Sequence, residues 1–378
     1  VRNRTKALLV VLVAIGGLAI YGLFGPDVLS TPERWDPPDP PKLEGVLAPN
    51  TRLQKAHLIA KGKLVGPESV AVASDGRIYT GINDGTVVRV DVQKDSVEVF
   101  ARTGTAAEGC GHDASIENTC GRTLGARFDP KGNLIVADCG LGRLFSIDPS
   151  GKKTLLADRT PSGKPFVFLD DLDIASDGTI YFSEASTRWP RPKYRYEVLE
   201  NNPYGMLLRY SPETKKLDVL LDHLYFANGV TLTPSEDAVL VVETSRYRIQ
   251  RYWLKGAKAG TAEPFVENLP GIPDNIRRGA NDTYWVALGA KRSGLIDFFH
   301  PRPTAKQALA RIVPLEIVQK YFVPKIGLVL HLDANGKILE SLWDESGSFI
   351  RQISEANEVG QKLYIGSIEA DRIGIVDL

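Results

Sequence analysis

Oxygen-bearing side chains recur at matching places along the chain, each at the entrance to a strand-like run. Glu68 follows Gly66-Pro67, and Asp170 with Asp171 follows Phe166-Val-Phe-Leu169. Asn228 lies in Phe226-Ala-Asn-Gly229, and Asp274 and Asn275 stand together in Leu269-Pro-Gly-Ile-Pro-Asp-Asn-Ile-Arg-Arg278. Carboxylates and amides without clustered His or Cys form a hard-oxygen set. Such a set suits calcium, which takes about six to eight oxygens in loose geometry, and gives zinc no convincing ligands. Taken singly, each position also reads as a turn: Gly-Pro-Glu, Asn-Gly, and Gly271 with Pro273 halting the backbone before Asp274. A shared site requires a fold that brings repeated positions together.

The pattern around them supplies one. Pro67–Gly81 reads as an alternating strand, an Asp-Gly turn and a second strand. Thr123–Asp138, Asp171–Ser183 and Gly229–Val242 repeat the scheme, with fainter copies starting near Asp274 and Ile353. A second hairpin follows each, as in Thr86–Val92 and Val97–Phe100. Four strands per unit, at a spacing of about fifty residues, are the size of propeller blades. The expected fold is therefore all-β, a six-bladed β-propeller over residues 51–378, with a stack of meanders in a sandwich as the alternative. The last unit is short of strand, and His57-Leu-Ile-Ala60 is placed to complete it and leave no open edge. In such a ring the first strand of each unit is innermost, so the oxygens converge on the channel.

Two insertions break the period. Arg188–Pro203 is rich in Arg, Tyr and Pro and reads as a loop over one face. Thr304–Phe322 carries apolar residues at helical spacing, and Pro314 divides it into two short helices. Both are placed to cover the channel mouth or thicken a rim. Trp189, Tyr194, Tyr196, Phe298 and Phe299 are lid aromatics or packing residues.

Arg2, Arg4 and Lys6 precede an uncharged apolar run from Ala7 to Phe24. At helical rise it approaches the thickness of the hydrocarbon layer, so residues 1–24 read as a cytoplasmic stub and a transmembrane helix. The basic flank puts the N-terminus in the cytoplasm and the propeller outside it, making a single-pass membrane protein. A cleaved signal peptide is the competing reading. Residues 25–50, with Pro32, Pro37, Pro38, Pro40, Pro41 and Pro49, read as a semi-extended stalk holding the propeller off the membrane. With 46 basic and 46 acidic residues, no net charge draws the chain to nucleic acid.

Outside the cytoplasm Cys110 and Cys120, which bracket a short polar loop, read as a disulfide; three free cysteines are the alternative. Cys139 is then a buried free thiol. Asn281-Asp-Thr283 is a glycosylation acceptor pattern.

Gly66-Pro-Glu-Ser-Val70, Cys120-Gly-Arg-Thr-Leu-Gly125, Phe226-Ala-Asn-Gly-Val230, Phe265–Arg277 and Leu363-Tyr-Ile-Gly-Ser367 resemble the adipocyte plasma membrane-associated protein family. That family is the membrane-anchored branch of the strictosidine synthase-like proteins. More distantly the chain is similar to paraoxonases and the senescence-marker gluconolactonases, six-bladed propellers with a central catalytic calcium. The resemblance implies that Glu68, Asn228 and Asp274 are calcium ligands and that Asn275 is the second residue of the paraoxonase Asp-Asn pair. Asp170 falls where the family usually has Asn, and Asp171 is its acidic neighbour. Two departures stand out. No histidine lies between His112 and His223 to match the paraoxonase pair. Ser354, with Glu355 beside it, falls where strictosidine synthase carries its catalytic glutamate.

The expected function is a calcium-dependent hydrolase of a small-molecule ester or lactone, with Asp170 or Asp171 as the base. A surface-binding propeller with structural calcium and an amine-aldehyde condensing enzyme are the alternatives.

Overall fold

The computed structural model describes Gly17, residues 20–323 and residues 325–378. Its strands come from short runs of β-branched and aromatic residues closed by tight turns. Asp75 and Asp177 each accept the backbone N–H two residues on, from Arg77 at 3.0 Å and Thr179 at 2.8 Å. The adjoining Gly76 and Gly178 take φ of 82° and 87°, a conformation glycine adopts without a Cβ clash.

These hairpins assemble into six separate four-stranded antiparallel sheets, in chain order, so the sandwich alternative is excluded. The innermost strands are Ala71–Val72, Thr123–Phe128, Leu169–Ile174, Ala227–Leu232, Gly271–Arg278 and Ile353–Val359. They fall where the repeat predicts. His57–Ile59 pairs with Ile373–Asp377, His57 opposite Ile375, and supplies the outer strand of blade six. First and last segments thus share one sheet, and the ring closes without a free inner edge.

The core lies between blades. Tyr181 and Leu207 of blade three, for example, pack on Val230, Val239 and Val241 of blade four. Each fully buried Val or Leu contributes roughly 1.5–3 kcal/mol, and the facing surfaces repeat around the ring. The disulfide Cys110–Cys120 is formed and Cys139 is a buried free thiol.

Three expectations need correction. Arg188–Pro203 is not a simple loop: Arg191–Lys193 is a 3-10 turn leading into an α-helix, Tyr194–Glu200. Leu199 packs inward with Trp189 against Leu29 and Ala310, which stabilises a helix too short to stand alone. The insertion at Thr304–Phe322 forms two helices as expected, Pro303–Ile312 and Leu315–Phe322, preceded by a third, Gly294–Phe299.

The proline-rich segment is extended, as its composition demands, but it is not a free stalk. Leu29 is fully buried, with its N–H bonded to Gln307 Oε1 at 2.9 Å. Trp35 packs between Tyr247 and His300. Arg292 donates to the Pro38 carbonyl at 2.7 Å, and Asn50 Nδ2 to that of Ser341 at 2.9 Å. The segment is a strap laid across the helical insertions and blade five.

The expected stub and most of the expected anchor, Ala7–Phe24, lie outside the described residues. Among the described residues no helix is long and apolar enough to cross a membrane.

The third correction concerns Gly271 and Pro273. They do not halt the chain, because Gly271–Arg278 is one strand paired along Tyr284–Lys291. Its register slips between Pro273 and Ile276, and Asp274 and Asn275 occupy that slip.

Candidate functional site

The slip recurs. Pairing jumps from Leu169 to Leu172 across Asp170 and Asp171, and from Ala227 to Val230 across Asn228 and Gly229. Blades two and six slip likewise, across Leu124 and Gly125 and at Ser354. A β-bulge bends the strand and re-aims a side chain that would otherwise follow the sheet's alternation. In blades three, four and five it brings Asp170, Asn228 and Asp274 to one cavity, and in blade two it brings Leu124 there. Glycine makes the neighbouring strands fit: a Cβ on Gly229 would stand 2.6 Å from Asn275 Cα, and one on Gly125 2.8 Å from Asp171 Cα.

Glu68, Asp170, Asn228 and Asp274 line one cavity of about 170 Å³. Its walls are mostly apolar, with Leu124, Phe168, Phe226, Ile272 and Pro273 around the polar floor, and Arg191 and Arg195 also line it. Tyr194, Val198 and Leu199 from the helix at 194–200 roof it, joined by Ile296, Leu309 and Val323. Tyr194 is therefore a lid aromatic. Trp189 and Tyr196 instead stack on one another, and Phe299 packs beside them. Phe298 is exposed.

Glu68, Asp170 and Asn228 are buried, and Asn275 is fully so. Asn275 reaches Glu68, donating from Nδ2 to Oε1 at 2.9 Å. Glu68 Oε2, Asn228 Oδ1 and Asn275 Oδ1 are left buried with no hydrogen-bond partner. An orphaned buried oxygen costs about 1–3 kcal/mol; two belong to the cavity floor and the third to the residue bonded to Glu68, and together they call for an explanation. Burial, with repulsion from Glu355, pushes the Glu68 carboxyl up to about 7. Burial and repulsion from Glu68 drive Asp170 and Asp274 well above the usual carboxylate range. Those oxygens and charges fit a hard cation. Among the described residues no group of three His, Cys, Asp or Glu side chains is drawn tightly enough to define a metal cage by itself. The fit rests on the mixed carboxylate and amide set.

Asp171 does not line the cavity. Its carboxylate receives Arg277 Nη1 at 2.6 Å and Nη2 at 2.7 Å, and the Val230 N–H at 2.8 Å. The same guanidinium donates to Glu355 Oε2 at 2.6 Å, and Glu355 also accepts from Arg127, Ser69 and the Val70 N–H. Asp171 and Glu355 are thus absorbed into a buried charge network beside the ring. That removes Asp171 as a base and takes Glu355 out of reach of a ligand in the cavity. Sequence reasoning missed Arg127 and Arg277. Their signal was an arginine inside an inner strand of apolar residues, in Gly125-Ala-Arg127 and Asn275-Ile-Arg277.

Among the described residues no histidine lines the cavity. His300 is buried beside Trp35, and His331 stacks on Trp285. Asn281 sits exposed at the turn before Tyr284–Lys291.

The strictosidine synthase family matches residues 170–257, and the strictosidine synthase-like N-terminal family residues 45–90. The adipocyte plasma membrane-associated protein of Bos taurus is 43% identical over 340 residues, covering 88% of this chain and 81% of that one. That of Salmo salar is 38% identical over 99% of this chain and 91% of its own. Among solved structures, a gluconolactonase from Xanthomonas campestris superposes with a TM-score of 0.59 at 18% identity, covering 93% of this chain and 98% of that one. A calcium-binding protein, regucalcin, from Agrobacterium tumefaciens gives 0.56 at 13% identity, covering 84% and 92%. At these identities the structures share the fold.

Proposed function

The chain belongs to the adipocyte plasma membrane-associated protein family of strictosidine synthase-like propellers, and from that premise we propose that it is a calcium-dependent hydrolase of esters or lactones. The observation that carries this reading is the pair of orphaned oxygens on Glu68 and Asn228, beside Asp170 and Asp274, at the floor of a roofed cavity, with a third orphaned oxygen on Asn275, which is bonded to Glu68. Glu68, Asp170, Asn228, Asp274 and Asn275 would hold the ion. When bound, calcium supplies a Lewis acid for a substrate carbonyl and a counter-charge for the developing oxyanion.

The chain's own residues do the rest. The apolar walls bind the acyl or aryl part of the substrate and exclude bulk water. Asp170, which unlike Asp171 lines the cavity, takes a proton from water at its carboxylate. Asn275 holds Glu68 in place by its 2.9 Å bond.

One observation favours a second reading, a binding propeller with structural calcium: among the described residues no histidine lines the cavity to share the proton transfer. Condensation of an amine with an aldehyde draws no support from Glu355, whose oxygens are occupied. The names of the relatives support membrane association; a cytoplasmic N-terminus and an outer propeller, with Asn281 open to glycosylation, rest on the basic flank before the apolar run and on the exposure of Asn281. The test is turnover of a panel of phenyl esters and lactones by the full chain, with calcium and with chelator. Turnover abolished by chelation supports the hydrolase. Turnover that persists unchanged rules out the calcium mechanism, and saturable ligand binding with no turnover selects the second reading.

A further inference from the structure

The helices that roof the cavity are apolar on both faces. Ile296, Leu309 and Val323 face the cavity. Leu295, Phe298, Ile312, Ile317 and Tyr321 are exposed, Phe298 by 52% and Tyr321 by 67%. A helix that only closes a cavity needs one apolar stripe. A second, solvent-facing set on three consecutive helices marks a contact surface.

The N-terminal segment identifies what that surface meets. Arg311, on the helix at 303–312, donates to the Gly22 carbonyl at 2.8 Å and to that of Pro26 at 3.0 Å. The approach is close enough that a Cβ on Gly22 would lie 2.5 Å from Ile312 Cδ1. Ile20, Tyr21, Leu23 and Phe24 are exposed there, Phe24 by 81%. These are the last residues of the apolar run from Ala7, so the chain leaves that run directly at the lid. Arg302, Lys320 and Lys325 are exposed among the same helices, against Glu316 as an exposed acid. Apolar side chains fringed by cations are the pattern of a surface that enters an anionic lipid interface.

We propose that the outer face of this lid docks in the headgroup region of the bilayer, so that the cavity takes its ligands from the membrane. The occupant is the lipid leaflet itself. The substrate class, which rests on the hydrolase reading above, is long-chain esters or lactones dissolved in that leaflet.

The test uses the full chain in vesicles of phosphatidylcholine and phosphatidylserine. Cys110 and Cys120 are disulfide-bonded and Cys139 is buried, so a single introduced thiol is labelled selectively. Phe298→Cys and Tyr321→Cys each carry an environment-sensitive fluorophore, with Val99→Cys and Leu155→Cys, exposed on outer strands, as controls. Doxyl-labelled lipid is expected to quench the label at 298 and 321 and to leave 99 and 155 bright. No quenching at 298 and 321, or equal quenching at all four, overturns the docking, including the cases where a second copy or the N-terminal segment covers the lid. This readout is independent of turnover. Phe298→Ser with Tyr321→Ser should also lower turnover of a vesicle-dissolved long-chain ester several-fold and leave a water-soluble ester unchanged; equal effects on both contradict delivery from the membrane. A native chain that turns over no ester sinks the hydrolase reading alone, and the quenching still decides the docking.

Discussion

Asn275 of blade five donates its amide N–H to Glu68, which leads into blade one, at 2.9 Å. The bond joins residues 207 apart in the chain. It fixes the amide so that Asn275 Oδ1 and Glu68 Oε2 are both left without partners. Two oriented, dehydrated oxygens beside further carboxylates are costly unless a cation shares them.

Asp170→Asn separates binding from chemistry. The amide keeps an oxygen ligand and removes both a negative charge and the base. Calcium affinity measured by calorimetry should weaken without being lost, while ester turnover should fall by about two orders of magnitude or more, as for loss of a general base. Unchanged turnover would remove Asp170 from the mechanism.

Calcium stabilisation should depend on pH with a defined sign. Glu68 is held at about 7 in the folded protein, above its ordinary 4.5, when no cation is present. A carboxyl raised on folding favours the folded state when protonated, so the cation-free protein loses stability as pH rises from 4.5 through about 7. Calcium requires the carboxylate and reverses the loss above that window. The gain in Tm on adding calcium should therefore be larger at about pH 8 than at about pH 5. Equal gains would show that Glu68 is not a ligand.

Arg277→Met should destabilise the propeller by about 3–5 kcal/mol, because it leaves Asp171 a buried acid without its paired guanidinium and Glu355 with Arg127 as its remaining ion-pair partner. Chemical denaturation measures this. A loss below about 1 kcal/mol would mean that the network is solvated and not a structural unit.

Gly229→Ala tests the close approach of blades four and five. Its Cβ would stand 2.6 Å from Asn275 Cα, so the strands must part. Overpacking of this kind costs about 1–3 kcal/mol and should weaken calcium binding along with stability. Stability lost with calcium affinity intact would separate that contact from the site.

The blades and the floor residues were legible because both follow local rules. Strand alternation and Asp-Gly turns repeat, and Glu68, Asp170, Asn228 and Asp274 recur at one phase of the repeat. The bulges were not legible, since a register slip belongs to a pair of strands; Gly271 and Pro273 therefore read as a stop where the strand continues. The roles of Asp171 and Glu355 depend on Arg277, whose partners lie 106 and 78 residues away. The strap was misread for the same reason. Leu29 and Trp35 are isolated apolar residues among prolines, and nothing nearby shows that Gln307, Tyr247 and His300 receive them.

The most direct test of the central claim is calorimetric titration of calcium into the full chain beside its Glu68→Gln and Asp274→Ala variants. The account predicts one saturable site in the native chain, with binding abolished in Asp274→Ala and sharply weakened in Glu68→Gln. A native chain that takes up no calcium, or variants that bind it as the native chain does, would contradict a cation at the propeller centre.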